Sequence, residues 1–238
     1  MKRLKVVVAA LCLVALPAIS LAEVSLGASI DYTSRYIWRG FDFYDDGPGI
    51  QPGASLGFSP ADGIDVSLGV WANYDVDNTE EWDEFDYTLD LSYAVSETLS
   101  VSGGYIYYDF PEADTKTQEV YLGATFALPA DVEGFATIYY DFDEGEGYYL
   151  TAGASYSMEV AANLEGSLSG SAGYMNYSDS GSYAGLDAFS DVTVSAGLSY
   201  AIVEGISANC SLNYAYVPDS DVNEDNEFWY MVGLSAEM

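Results

Sequence analysis

Two arginines, Arg35 and Arg39, are the residues whose type and spacing most suggest a site in this chain. They lie four positions apart in a segment of alternating residues, so on a β-strand both side chains would lie on one face. Two interpretations stay open. The arginines would either pair with inward carboxylates and fix a wall of the protein, or form part of a constriction that orders anionic groups of a solute.

The chain contains no histidine, which excludes a Ser-His-Asp triad and a zinc–histidine site. We therefore expect no enzyme and no cofactor. Two acidic loops, Asp75–Thr79 and Asp219–Asn223, begin like calcium-binding loops, but Glu80 and Glu224 stand where such a loop requires glycine. Weak bridging of outer loops by divalent cations is the most that these segments predict.

The charge balance is strongly acidic, with 38 Asp and Glu against six Lys and Arg. Nucleic acid is an unfavourable partner for such a chain, because its phosphates require basic residues. The acidic field would instead attract cations. A solvated acidic surface without a specific partner explains the same composition.

The first residues predict export. A basic start with Lys2, Arg3 and Lys5 precedes an apolar run over residues 6–16 and the helix-breaking Pro17. Small residues then precede a cleavage position after Ala22. We predict a cleaved signal peptide at 1–22 and one domain at 23–238.

Alternation of apolar and polar residues continues through almost the whole mature chain, and it predicts an all-β fold. We predict twelve strands, of which the one at 134–142 alternates least regularly, so that the number would fall to ten without it. Most strands have the length needed to cross a bilayer at a tilt. The predicted strands span 24–39, 49–59, 63–75, 84–95, 98–109, 118–128, 134–142, 147–158, 163–177, 189–201, 206–216 and 227–238.

The connections and the aromatic residues distinguish a membrane barrel from a soluble β-sandwich. Short turns alternate with longer, more acidic loops, as in antiparallel transmembrane β-barrels with short periplasmic turns and longer outer loops. Aromatic residues collect at both ends of the strands, as the two interfacial girdles of a barrel do. The band at the long-loop end includes Tyr32, Tyr36, Trp38, Tyr74, Tyr140 and Tyr214, and the band at the short-turn end includes Phe58, Tyr93, Phe126, Tyr156 and Tyr200. A soluble sandwich predicts neither pattern.

The inward face of the barrel would carry mainly small and polar residues, which predicts a wet, narrow lumen. The residues predicted to line the pore are Asp31, Arg35, Arg39, Asp65, Trp71, Asp86, Asp90, Glu119 and Tyr121. We expect a porin-like channel of the bacterial outer membrane for small polar solutes. Its acidic lumen would favour cations, and its partners would be membrane lipids and those solutes. A non-conducting structural or adhesive barrel with acidic surface loops is the alternative.

One segment resembles a known family. The stretch Tyr32-Thr33-Ser34-Arg35-Tyr36-Ile37-Trp38-Arg39-Gly40 is similar to the opening of the TorF-type porins, whose first strand reads T-S-x-Y-[VI]-[FW]-R-G. The following Pro48–Gly53 and Gly69–Asn73 resemble the next elements of that family. The resemblance covers the first half of the chain by motif and the second half by architecture. It implies an outer-membrane location and a role as a pore.

Overall fold

The computed structural model describes residues 24–44, 47–77, 82–178, 181 and 183–238. The predicted signal peptide at 1–22 therefore lies outside the described residues. Within these ranges, no helix is long and apolar enough to cross a membrane.

In the described part of the chain, twelve long antiparallel strands close into one barrel, and two short strands form a separate hairpin. The long strands are β1 (Val24–Thr33), β4 (Gly49–Ala61), β5 (Ile64–Asp75), β6 (Glu84–Ser96), β7 (Leu99–Phe110), β8 (Thr115–Ala127), β9 (Val132–Asp141), β10 (Gly147–Ala161), β11 (Leu164–Tyr177), β12 (Asp187–Val203), β13 (Ile206–Tyr216) and β14 (Glu227–Glu237). The short ones are β2 (Ile37–Trp38) and β3 (Phe41–Asp42).

The predicted all-β barrel of twelve strands is confirmed. The irregular segment at 134–142 forms a complete strand, β9, which pairs with β8 and β10 along its length. The ten-strand alternative is therefore wrong. Backbone hydrogen bonds to both neighbours make this segment a strand although its side chains alternate poorly. The barrel can close only if β9 pairs with both β8 and β10.

The first predicted strand is too long, since β1 ends at Thr33 and not at residue 39. Ser34 ends the pairing with β14, because its backbone N–H donates to the Tyr230 carbonyl at 2.9 Å and its hydroxyl accepts from the Tyr230 N–H at 3.0 Å. The Thr33 hydroxyl donates to the Arg35 carbonyl at 2.5 Å, which turns the backbone out of the extended path. The chain then leaves the barrel wall.

The barrel closes through β1, which pairs with β14 on one side and with β4 on the other. Five short turns, such as the two-residue turn between Ala61 and Ile64, lie at the end of the barrel that carries Val24 and Met238. Six longer connections lie at the opposite end. These are called the short-turn end and the long-loop end below.

The outer wall is an exposed apolar surface. Successive outward side chains are Leu, Val, Ile and Tyr, and Leu122 and Leu168 remain 64% and 59% exposed in the folded chain. A water-soluble protein would bury such residues, whereas lipid tails solvate them. Exposed aromatic residues mark both margins of this surface: Tyr32, Tyr140, Tyr214, Phe228 and Tyr230 at the long-loop end, and Tyr93, Phe126 and Tyr200 at the short-turn end. Tyr36 and Trp38 are the exceptions, because both fold inward with the first loop.

Candidate functional site

The first long loop folds into the lumen as a hairpin. We call residues 34–44 the inward hairpin, in which Trp38 pairs with Phe41 across a two-residue turn. Both turn residues have positive φ, 52° at Arg39 and 92° at Gly40, as a type I′ turn requires. Gly40 suits the position also by size, because a Cβ there would lie 2.8 Å from the Ser190 carbonyl oxygen. The turn therefore lies against β12, three strands from β1 around the barrel.

Arg39 is buried at the tip of the inward hairpin and forms a two-pronged ion pair with Glu119 of β8. Its two guanidinium nitrogens Nη1 and Nη2 donate to Oε1 and Oε2 of Glu119, both at 2.7 Å. The two side chains are only 7% and 2% exposed. Burial alone would lower the pKa of Arg39, and the Glu119 carboxylate more than offsets this, so the pKa lies above its ordinary value. Arg39 is therefore charged at any physiological pH.

Three aromatic rings surround the same guanidinium. Its Cζ atom lies 4.1 Å from the ring centroid of Trp38, 4.7 Å from that of Tyr139 and 4.5 Å from that of Tyr149. Arg39 also donates to the Tyr177 hydroxyl at 3.3 Å. Rings at these distances attract a cation through their negative faces, most strongly where water is excluded. We call Glu119, Tyr108, Tyr139, Tyr149 and Tyr177 the wall cage.

Arg35 holds the base of the inward hairpin. Its guanidinium pairs with the buried Glu227 of β14, which also accepts from the side-chain amide of Asn223 at 3.0 Å. Arg35 is 30% exposed, so this pair is better solvated than the pair at the tip. The two arginines thus contact carboxylates on different strands.

Side chains on β5, on β6 and just before β6 hold the remaining parts of the inward hairpin. The Tyr36 hydroxyl donates to Glu84 at 2.7 Å, and the Tyr44 hydroxyl donates to Asp83 at 2.8 Å. The Tyr36 ring also lies against Trp71, with their centroids 5.8 Å apart. The hairpin therefore contacts both sides of the barrel through side chains.

An apolar cluster fills the lumen beside the inward hairpin. Ile37 and Phe41 of the hairpin pack against it, and its buried members are Tyr149, Met175, Tyr177, Ala188, Ala215, Val217, Val222 and Trp229. These residues come from β10 to β14 and their long loops. The long-loop half of the lumen is therefore packed on the β10–β14 side, and a cavity of about 450 Å³ remains on the other side of the hairpin, beside Tyr36, Tyr44 and Glu84.

The short-turn half of the barrel is different. Its inward residues are mostly Ser, Gly and Thr, and two cavities of about 650 Å³ and 560 Å³ adjoin them. The second cavity is bordered by Asp65 and Asp90. Small side chains leave this half open, and hydroxyls and carboxylates make it hydrophilic.

Seven of the nine residues predicted to line the pore lie at inward strand positions. Asp65 and Asp90 border the open half, and the Tyr121 hydroxyl donates to Asp90. Asp31 lies on β1 opposite Gln51 and Gly233. Trp71, Asp86 and Glu119 lie in the long-loop half. Arg35 and Arg39 are not on the first strand as expected, because the backbone leaves the wall after Thr33. Whether any of the nine lines a conducting pore stays a prediction.

The strand pattern missed the inward position of Tyr36 and Trp38, which lie in the inward hairpin, and the tyrosines of the wall cage that surround its tip. One local signal for them exists. An Arg-Gly pair between two aromatic residues matches a two-residue hairpin turn, since glycine tolerates positive φ. Alternation of Tyr36 and Trp38 with their neighbours conceals that signal.

The predicted weak sites for divalent cations are not tested by the structure. Residues 78 and 79 of the first candidate loop lie outside the described residues. In the second loop the Asp219 carboxylate accepts the Asp221 backbone N–H at 3.0 Å, which is an ordinary turn contact. Within the described ranges, no three acidic or cysteine side chains come together as ligands for a metal ion.

A closed antiparallel barrel with an apolar outer wall and a hydrophilic inner face defines the class of outer-membrane barrels. Residues 40–160 match the family described as "Putative MetA-pathway of phenol degradation", and the chain belongs to that family. No curated protein matches the sequence.

Solved structures share this fold at low sequence identity. A KdgM porin has a TM-score of 0.56 and 14% identity, with 88% of this chain and 98% of that chain covered. An outer membrane channel from Pseudomonas putida F1 has a TM-score of 0.54 and 10% identity, with 90% and 95% covered. Outer membrane phospholipase A from Escherichia coli has a TM-score of 0.51 and 15% identity, with 88% and 89% covered. These similar structures include a porin, a channel and an enzyme. The fold is therefore that of outer-membrane barrels in general.

Proposed function

We propose that this protein is a porin-like channel of the bacterial outer membrane for small polar solutes, and that its lumen favours cations. The observation that carries the proposal is the short-turn half of the barrel, where small hydroxyl side chains leave cavities bordered by Asp65 and Asp90. A narrow passage lined by carboxylates lowers the energy of a cation and raises that of an anion.

The similar folds support a transport role without fixing the solute. A KdgM porin has been described in complex with disordered oligogalacturonate, which is an anionic ligand of that protein. The present chain has only three basic residues after position 5, and two of them are paired with carboxylates. A preference for cations is therefore the better proposal here. The motif of the TorF-type porins supports the same role.

Planar-bilayer recording of the purified mature protein tests this function. Under a KCl gradient we expect discrete conductance steps and a reversal potential on the cation-selective side. Asp65→Asn with Asp90→Asn should move that potential towards zero, because both carboxylates border the open half. Glu97→Gln is the matched control, since Glu97 is exposed in the turn between β6 and β7. An anion-selective channel, or one in which Glu97→Gln has the larger effect, would contradict the proposal.

A second candidate is a non-conducting structural or adhesive barrel. The packed core around the inward hairpin favours it, because the long-loop half of the lumen is packed on the β10–β14 side. A protein that shows the heat-dependent gel mobility of a folded barrel and yet stays silent in the bilayer would support this candidate.

A further inference from the structure

The site around Arg39 has two parts that belong to different elements. The wall cage belongs to strands of the barrel. The Arg39 guanidinium, which is the cation of this site, and the Trp38 ring belong to the inward hairpin. The Tyr108 hydroxyl donates to Glu119 at 2.9 Å and orients the carboxylate. The wall cage is thus complete without the hairpin, except for its cation.

In the described chain, the inward hairpin has no strand-ladder hydrogen bonds to the barrel. Its strands β2 and β3 pair only with each other, in a sheet separate from the barrel. From Tyr36 to Phe41 its contacts with the rest of the protein are made by its side chains, apart from the Gly40 carbonyl, which accepts from the side-chain amide of Asn223 at 3.3 Å. A segment of this kind can move as a unit without breaking a strand ladder.

The wall cage contains a buried carboxylate that a cation stabilises. Glu119 is 2% exposed, and an unpaired carboxylate at such a depth is strongly destabilising. Asp86 is close enough to interact with the Glu119 charge, and within the described residues one of its buried carboxylate oxygens has no hydrogen-bond partner. The Glu119 carboxylate is therefore the negative charge that a cation in the wall cage would meet.

A small cavity of about 60 Å³ leads to this position from the long-loop end. It is bordered by Trp38, Tyr108, Glu119 and Asp141, with Lys116 as its basic residue. Aromatic rings and carboxylates together select compact organic cations over anions and over neutral solutes.

We infer that the wall cage is a binding site for guanidinium-type organic cations, which Arg39 occupies from within the chain and which a solute cation occupies when the inward hairpin leaves the lumen. This inference rests on the proposed function, since the solute would come from the transported pool. Arg39 then acts as an internal competitor, and a bound solute cation favours the state with the hairpin out.

Binding in detergent tests the site without requiring conductance. Arg39→Ala removes the internal cation, and low millimolar methylguanidinium should then raise the unfolding temperature of the folded variant. Methylurea has a similar shape without the charge and should not, and NaCl at equal ionic strength should not. Adding Glu119→Gln to Arg39→Ala should weaken methylguanidinium binding about tenfold to hundredfold, because the charged hydrogen bonds are lost.

Arg35→Ala is the matched control, because it removes the other arginine of the same loop from a carboxylate outside the wall cage. It should create no methylguanidinium binding. Equal stabilisation of Arg39→Ala by methylguanidinium and methylurea would overturn the inference, and so would binding that Glu119→Gln leaves unchanged.

The wild-type protein gives a second measurement if Arg39→Ala does not fold. Methylguanidinium added at the long-loop side should increase the fraction of time in the open state, and this effect should be weaker in Tyr149→Leu, which removes one ring of the wall cage. Absence of any effect on a wild-type protein that conducts would reject the site. Binding in detergent with a silent bilayer would instead reject the channel and keep the cation site.

Discussion

The ion pair between Arg39 and Glu119 gives the most demanding test of how the inward hairpin is held. Replacing Arg39 with Met removes the charge and keeps a long apolar side chain. Glu119 is then left buried without its partner, which costs about 3–5 kcal/mol in comparable cases. The attraction of the guanidinium to three rings is lost as well.

The lost free energy shifts the equilibrium between the inward and outward positions of the hairpin and does not destabilise the barrel, because β2 and β3 share no strand ladder with the barrel. A loss of ~3 kcal/mol changes the ratio between the inward and outward positions by ~100-fold or more. We therefore expect Arg39→Met to expose the chain around residues 34–44 to protease, and to raise single-channel conductance. The barrel should still shift on unboiled gels.

A double-mutant cycle separates the pair from its surroundings. Glu119→Gln alone leaves Arg39 unpaired and should have a comparable effect, whereas the combined variant should be less perturbed than the two effects added. Arg35→Met is the control, because that side chain is 30% exposed and better solvated, so that its loss should free the hairpin less. If Arg39→Met leaves both protease sensitivity and conductance at wild-type values, the pair does not hold the hairpin.

Three further outcomes are expected. Gly40→Ala should destabilise the inward position of the hairpin by about 1–3 kcal/mol, because φ is 92° and the added Cβ would lie 2.8 Å from the Ser190 carbonyl oxygen. Limited proteolysis measures this change, and Gly170→Ala, where an added Cβ meets only ordinary contacts at 3.8 Å, should have no effect. Leu122→Arg should destabilise the inserted barrel by about 2–4 kcal/mol, because this exposed residue would face lipid; refolding into vesicles measures this, and wild-type yield would contradict a lipid-facing position. Intact-mass measurement of the exported protein should give an N-terminus at Glu23, and an uncleaved chain would reject the signal peptide.

The strands could be predicted from sequence because each reports its own conformation locally. In β5, outward Val66, Leu68 and Val70 alternate with inward polar or small residues, and the lipid and the lumen impose that alternation directly. Even β9, whose aromatic residues blur the pattern, was placed correctly within a few residues, since the two turns around it bounded its position.

The inward hairpin could not be predicted in the same way, because its determinants are distant in sequence. Glu119 is 80 residues from Arg39, and Glu227 is 192 residues from Arg35. Nothing in the spacing of the two arginines shows which of many carboxylates they meet. Periodicity continues through Tyr36 and Trp38, so that a strand and an inward hairpin give the same local pattern.

The backbone at Arg39 connects the fold of the hairpin to its role. A residue with a β-carbon at φ of 52° is less stable than glycine or asparagine would be at this turn position. The strain is tolerated because the long side chain at the tip of the turn reaches Glu119 on β8. Turn stability alone would favour a smaller residue here, so the arginine is explained by the contact that it makes across the lumen and not by the turn that it forms.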